Sequence, residues 1–116
     1  MNKHLNINYL EIPVLDIVKT KLFFTQVFGW DFVDYGDSYS CFVDAGIAGG
    51  FYLSEQHFDL VKGAPLIVIY SEQLEQTMAE IEQAGGQIVK AIFSFPGGRR
   101  FHFKDPNGNE FAVWSL

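Results

Sequence analysis

Two stretches of the chain share one hydrophobic rhythm. An extended apolar segment at residues 7–13 precedes helical periodicity over 16–28, and the same succession returns over 65–70 and 72–84. Sliding the chain against itself by 56 positions lays Tyr9–Val33 on Pro65–Val89 without a gap. Val18, Leu22, Thr25 and Phe28 then fall on Leu74, Met78, Ile81 and Ala84. That 4-3-3 spacing marks one face of an amphipathic helix. Asp16 falls on Glu72, each in a first helical turn, where a carboxylate is favoured. Gly29 falls on Gly85, each where a helix should stop.

Beyond the helices, an offset of 61 aligns Phe42-Val43-Asp44 with Phe103-Lys104-Asp105. The change of offset places a five-residue insertion in the second half, around Phe93–Gly98. The pattern predicts strands at 30–35, 39–44 and 49–54, a polar loop at 55–63, and strands at 87–91, 99–104 and 109–115. Asp105-Pro106-Asn107-Gly108 reads as a tight turn between the last two strands. The expectation is an α+β fold, 1–116 as a single domain, built from two tandem β-α-β-β-β modules at about 5–55 and 64–116.

Composition narrows the function classes. The chain has 116 residues, 48% of them hydrophobic and 16% aromatic, so disorder is excluded and one core is expected. Twelve Phe exceed what a core of this size demands, so some of them either line a cavity or interface or simply enrich the core. The net charge is −6 with eight scattered Lys and Arg, which argues against nucleic acid. A single cysteine, Cys41, permits no intrachain disulfide. Residues 1–12 lack a basic-then-apolar signal pattern, and no apolar run reaches the roughly 20 residues that span a bilayer. A cytoplasmic location is the default expectation, with no membrane partner.

The segment INYLEIPVLDIVKTKLFFTQVFGW at 7–30 resembles the opening unit of the vicinal-oxygen-chelate superfamily. That superfamily includes glyoxalase I, extradiol dioxygenases, bleomycin-resistance proteins and fosfomycin-resistance enzymes. FHFKDPNGNEFAVWS at 101–115 resembles its closing hairpin. The resemblance implies that each module curls a mostly antiparallel sheet into half of a cup, with the helices outside. In metal-dependent members, His and Glu ligands come from the first and last strands of each module. Carried over, those positions are Tyr9, Phe51, Pro65 and Ala112, with Leu53 as the alternative to Phe51. None is an ordinary divalent-metal ligand; this departure from the family's pattern argues against its metal chemistry, and no cofactor is expected. Members are often homodimers, with cups formed within a chain or across the interface.

Strand alternation gives a view of the faces. Leu10, Ile12 and Val14 form an apolar face for the helices, as do Phe101, Phe103, Phe111 and Val113. The cup then receives Tyr9, Glu11, Cys41, Phe51, Ile67, Ile69, Arg100, His102, Ala112 and Trp114. Apolar walls with a few polar groups suit a small organic ligand. Tyr9, Phe51 and Trp114 are candidates for stacking on a planar or cationic group. His102 is the candidate acid or base, with Glu11 as its carboxylate, or else a strand-edge histidine without chemistry. Glu11 serves equally as an ion-pair partner for Arg100. Arg99-Arg100 is either a carboxylate clamp or a solvated turn. Cys41 shares its aligned position with His102 and reads as a small buried residue or a cup residue.

The sequence therefore points to a metal-free small-molecule binder, for which the bleomycin-resistance proteins are the precedent. The alternatives are a lyase, isomerase or dioxygenase of the same superfamily, metal-dependent or using His102 and Glu11, and an interaction module whose cup is filled by its own aromatics.

Overall fold

The computed structural model describes residues 2–116. The chain divides into two compact units that meet in sequence between His57 and Phe58. The first contains β1 (Leu10–Val14), α1 (Ile17–Phe28), β2 (Asp31–Asp34), β3 (Tyr39–Val43) and β4 (Gly49–Leu53). Its sheet runs β1-β4-β3-β2, with β1 parallel to β4 and the other pairs antiparallel. The second opens with a 3-10 turn at Leu60–Lys62, then β5 (Ile67–Tyr70), α2 (Leu74–Gln83), β6 (Gln87–Phe95), β7 (Gly98–Lys104) and β8 (Glu110–Ser115). Its sheet, β5-β8-β7-β6, repeats the first in order and direction. The fold is α+β with two similar β-α-β-β-β modules, as the hydrophobic rhythm indicated. No helix among the described residues is long and apolar enough to cross a membrane.

Helix α1 starts where Asp16 accepts a hydrogen bond from the Lys19 amide at 2.9 Å. Asp16 is thus the cap of the helix, one step before its first turn. Gly29 closes the helix in the left-handed conformation, φ 72°, with its amide on the Thr25 carbonyl. The face that α1 buries is Ile17, Thr20, Phe23 and Phe24. This corrects the predicted face, because Val18 and Leu22 are 62% and 65% exposed. Phe24 stacks on Trp30 at 4.8 Å and meets Phe51 at 5.3 Å; Phe42 meets Phe51 at the same distance. These rings form the first unit's core.

Before α2, the Ser71 hydroxyl accepts from the Gln73 amide and bonds the Thr77 hydroxyl. Glu72 precedes the helix, so it is not the first-turn residue expected. Leu74 and Ile81 are the buried positions of α2. The Gly86 amide returns to the Ile81 carbonyl and Gly85 to Glu82, a Schellman ending around left-handed Gly85.

Sheet pairing shows the true correspondence between the modules. The row Ile12–Phe51–Ser40 matches Ile69–Val113–Phe101, and the row Glu11–Gly50–Cys41 matches Val68–Ala112–His102. The buried helix positions Ile17 and Phe24 match Leu74 and Ile81. The offset through the first strand and helix is therefore 57, not 56, and that through the last strand is 62, not 61. Aligning the two glycines imposed the slip: α2 is shorter than α1, 10 residues against 12, and its left-handed glycine stands one place further beyond the helix. A one-residue slip inverts a strand's faces.

The predicted insertion lengthens the β6–β7 hairpin. Phe95 pairs with Gly98 across Pro96-Gly97, and the pairing shifts register twice between Ile88 and Phe93. The turn after β7 is more than a surface connection. Asp105, 4% exposed, accepts from the amides of Asn107 and Asn109, both at 2.9 Å. Asn109 in turn accepts from the Phe58 amide at 2.6 Å. Burial raises the Asp105 pKa, and these hydrogen bonds oppose the rise.

Candidate functional site

Each sheet packs one face on its helix and turns side chains with chemistry to the other. On the first sheet, the second face brings Tyr9, Glu11, Tyr39 and Cys41 together. The Tyr39 hydroxyl donates to Glu11 at 2.8 Å and lies 2.6 Å from the Tyr9 hydroxyl. The Tyr9 hydroxyl is also 3.2 Å from the Cys41 sulfur. Each hydroxyl has one proton. If Tyr39 spends its proton on Glu11, Tyr9 must donate to Tyr39, and the Cys41 thiol then donates to Tyr9. Burial, and then the bonds to Tyr9 and Glu11, push the Tyr39 phenol far above its ordinary pKa. The Tyr9 pKa is raised, chiefly by its bond to Cys41.

Gly50 makes the cluster possible. It sits between Glu11 on β1 and Cys41 on β3, and Tyr39 crosses over it to reach Glu11. A methyl group there would stand 2.5 Å from the Tyr39 hydroxyl.

The second sheet carries His102, Arg100, Ala112, Trp114, Val68 and Tyr70 on its helix-free face. The His102 Nδ1 lies 2.9 Å from Glu110, and its Nε2 is buried without a partner. Burial leaves the ring 4% exposed, with Phe93 at 5.9 Å. Arg100 lies 5.2 Å from the Phe93 ring and 5.6 Å from the Phe95 ring, with its Nε also buried and unpartnered. Its neighbour Arg99 points elsewhere, onto Glu75 at 2.7 Å. Val68, Phe95, Arg100 and Trp114 line a recess of about 250 Å³. Trp114 packs edge-on against Tyr70 at 5.0 Å. A groove of about 430 Å³ follows the turn from Phe42 to Ala48 in the first unit.

Three expected placements are corrected. Phe51 is fully buried against Phe24, on the helix side of the sheet; Gly50 and Tyr52 take the other face. Ile67 and Ile69 pair with Phe111 and Val113 on the buried face, leaving Val68 and Tyr70 opposite. All three follow from the offset slip. The partner expected for His102 also changes: the carboxylate it meets is Glu110, and Glu11 is engaged by Tyr39. Sequence reasoning passed over Tyr39, Phe93 and Phe95 as site residues and did not pair Glu110 with His102. The alternation of β3 was a signal for Tyr39, two residues before Cys41. Glu110 lies diagonally across the β7–β8 hairpin from His102, which the turn alone would have located.

The family comparison decides the kinship. The model of the Glyoxalase/Bleomycin resistance protein/Dioxygenase superfamily matches residues 6–113. The chain belongs to this superfamily. Solved structures agree on the fold. A glyoxalase-related enzyme from Fulvimarina pelagi superposes with a TM-score of 0.79 at 17% identity, covering 97% of this chain and 88% of that one. A glyoxalase/bleomycin resistance protein/dioxygenase family enzyme from Burkholderia phytofirmans gives 0.79 at 17% identity, covering 94% and 97%. The E126Q mutant of the fosfomycin resistance protein FosX from Listeria monocytogenes, complexed with manganese(II) and 1S,2S-dihydroxypropylphosphonic acid, gives 0.79 at 18% identity, covering 97% and 90%. No curated protein matches the chain.

The superfamily's metal can be tested against the residues present. Through the corrected register Gly50 replaces Phe51 and Leu66 replaces Pro65, so the carried-over positions become Tyr9, Gly50, Leu66 and Ala112. Glycine, leucine and alanine side chains offer no donor atom, and one tyrosine does not complete a divalent shell. No group of three or more His, Cys, Asp and Glu among the described residues could hold an ion. The side chains present do not fit the group.

Proposed function

We propose that the protein is a metal-free small-molecule-binding member of the superfamily, and that the ligand sits in the recess on the second sheet. The supporting observation is the recess itself: an indole, a phenyl ring and an aliphatic wall around one cation. Apolar walls with one or two polar groups are the usual make-up of such sites. At about 250 Å³ the recess is smaller than the roughly 300–1,000 Å³ of drug-sized sites, which favours a small guest. On this reading Arg100 and Trp114 are the ligand-binding residues, joined by Val68 and Phe95. Tyr9, Glu11 and Cys41 belong to the polar cluster within the first unit. The reading carries a homodimeric, cytoplasmic protein with it, checked by light scattering and cell fractionation.

The test is equilibrium binding of a small-molecule library, followed by Trp fluorescence and repeated with a chelator. Binding that survives the chelator is expected. A requirement for one divalent ion per chain would reject the reading.

The His102–Glu110 pair favours a second reading, an enzyme using a histidine positioned by a carboxylate. In it His102 is the acid or base, and the partner is Glu110 rather than Glu11. Turnover of any superfamily substrate that persists in His102→Ala would exclude that role.

A further inference from the structure

The two adjacent arginines are treated differently by the fold. Arg99 makes a two-pronged contact with Glu75, at 2.7 and 3.3 Å. Arg100, on the opposite face, has no carboxylate among the described residues, and its Nε has no hydrogen-bond partner at all. It is half-buried, and its neighbours are the rings of Phe93 and Phe95. A guanidinium N–H removed from water without an acceptor, as Nε is here, is costly. Ring faces recover part of that cost, yet they leave the Nε–H without an oxygen acceptor. The protein carries a net charge of −6, so acidic partners are abundant and the fold has left this cation without one. The same side chain lines the recess beside Trp114.

We infer that the ligand is a small planar aromatic carboxylate. This rests on the recess being the binding site, and it names the ligand class. The carboxylate takes the N–H edge of Arg100, two parallel charge-assisted bonds in the geometry that pairs these groups best. The aromatic body lies along Trp114, Phe95 and Val68. The overall acidity of the chain alone favours a cationic guest; the local charge at the recess reverses that preference, because a cation would displace nothing and would face Arg100. Gly98 belongs to the same design. A methyl group there would meet the Ser115 carbonyl and stand 3.2 Å from the Trp114 ring, so glycine lets Trp114 lie close to β7.

The experiment titrates the full-length protein with benzoate, benzamide and benzylammonium, by Trp fluorescence and calorimetry, and repeats it with Arg100→Met. Methionine retains much of the apolar stem, so the wall is largely kept. Benzoate should bind more tightly than benzamide by about tenfold or more, the scale of hydrogen bonds to charged groups. Arg100→Met should weaken benzoate and so erase that difference. Arg100→Lys should restore only part of it, because a lysine cannot form the fork. Equal binding of benzoate and benzamide, or preference for benzylammonium, would overturn the anion assignment while leaving the recess as a binding site. So would unchanged benzoate affinity in Arg100→Met. Failure of all three probes to bind would overturn the recess reading together with the inference.

Discussion

Gly50→Ala tests whether the first unit's polar cluster depends on a gap in the sheet. The added methyl would lie 2.5, 2.6 and 2.7 Å from three atoms of the Tyr39 ring and hydroxyl. All belong to the far end of one side chain, so the backbone can stay while Tyr39 swings away. Moving it breaks the bonds to Glu11 and Tyr9. Overpacking costs about 1–3 kcal/mol, and each lost hydrogen bond about 0.5–1.5 kcal/mol net, less on a face that water reaches. The expected loss is about 2 kcal/mol, a fraction of the ~5–15 kcal/mol that keeps a domain folded. In urea this shifts the midpoint by about 1 M.

Two controls isolate the cause. Gly49→Ala places its methyl on the Leu10 carbonyl and into the Phe42 ring, where backbone must move. It should cost more than Gly50→Ala, because it opens the β1–β4 pairing itself. Tyr39→Ala removes the atom that Gly50→Ala strikes, so in that background the second substitution should cost about 0.5 kcal/mol or less. Phenolate absorbance gives a separate readout: Tyr39 should titrate above an ordinary tyrosine in the parent and nearer to one in Gly50→Ala. Strict additivity of the two substitutions, with an unchanged titration, would refute the account.

Other consequences follow from single residues. The buried Asp105 holds its proton above the ordinary 3.8, so the folded state binds more protons there and stability declines as pH rises through that window. Asp105→Asn should flatten the decline, seen as a smaller difference between urea midpoints at pH 4 and pH 7. Asp34 has the opposite sign: Lys21 and then Ser40 lower its pKa, so its contribution is present above the ordinary value and fades as pH falls through the lowered one. Asp34→Asn should shrink the stability lost on acidification, measured by the same midpoints. Phe24→Ala, at the centre of the first core, should cost about 3–5 kcal/mol by thermal or urea unfolding, and a loss under 1 kcal/mol would show that the ring stack is not the core.

The modules were legible because burial repeats at each level. Ile12 and Ile69, Phe24 and Ile81, and Gly29 and Gly85 all leave a trace in one sequence. Register was less legible, since a helix can lose a turn fragment while keeping its stop signal. Gly85 marked the end of α2 correctly and misplaced everything before it by one position, which sent Ile67, Ile69 and, through the parallel slip in the last strand, Phe51 to the wrong side. On strands that alternate, an error of one residue is the largest error available.

Arg100 escaped that error because the β7–β8 hairpin fixes its own register through the 105–108 turn, independently of the repeat. His102, Ala112 and Trp114 were assigned their faces for the same reason. What no pattern in the sequence separates is the fate of two adjacent cations. Alternation puts Arg99 and Arg100 on opposite faces, but only the packed helix shows that Glu75 stands ready for one, and only the lengthened hairpin shows that Phe93 and Phe95 flank the other. The five inserted residues, which lengthen the β6–β7 hairpin, are what carry Phe95 to the guanidinium. The module-two recess thus owes its charge to the β7–β8 hairpin and much of its aromatic wall to the lengthened β6–β7 hairpin.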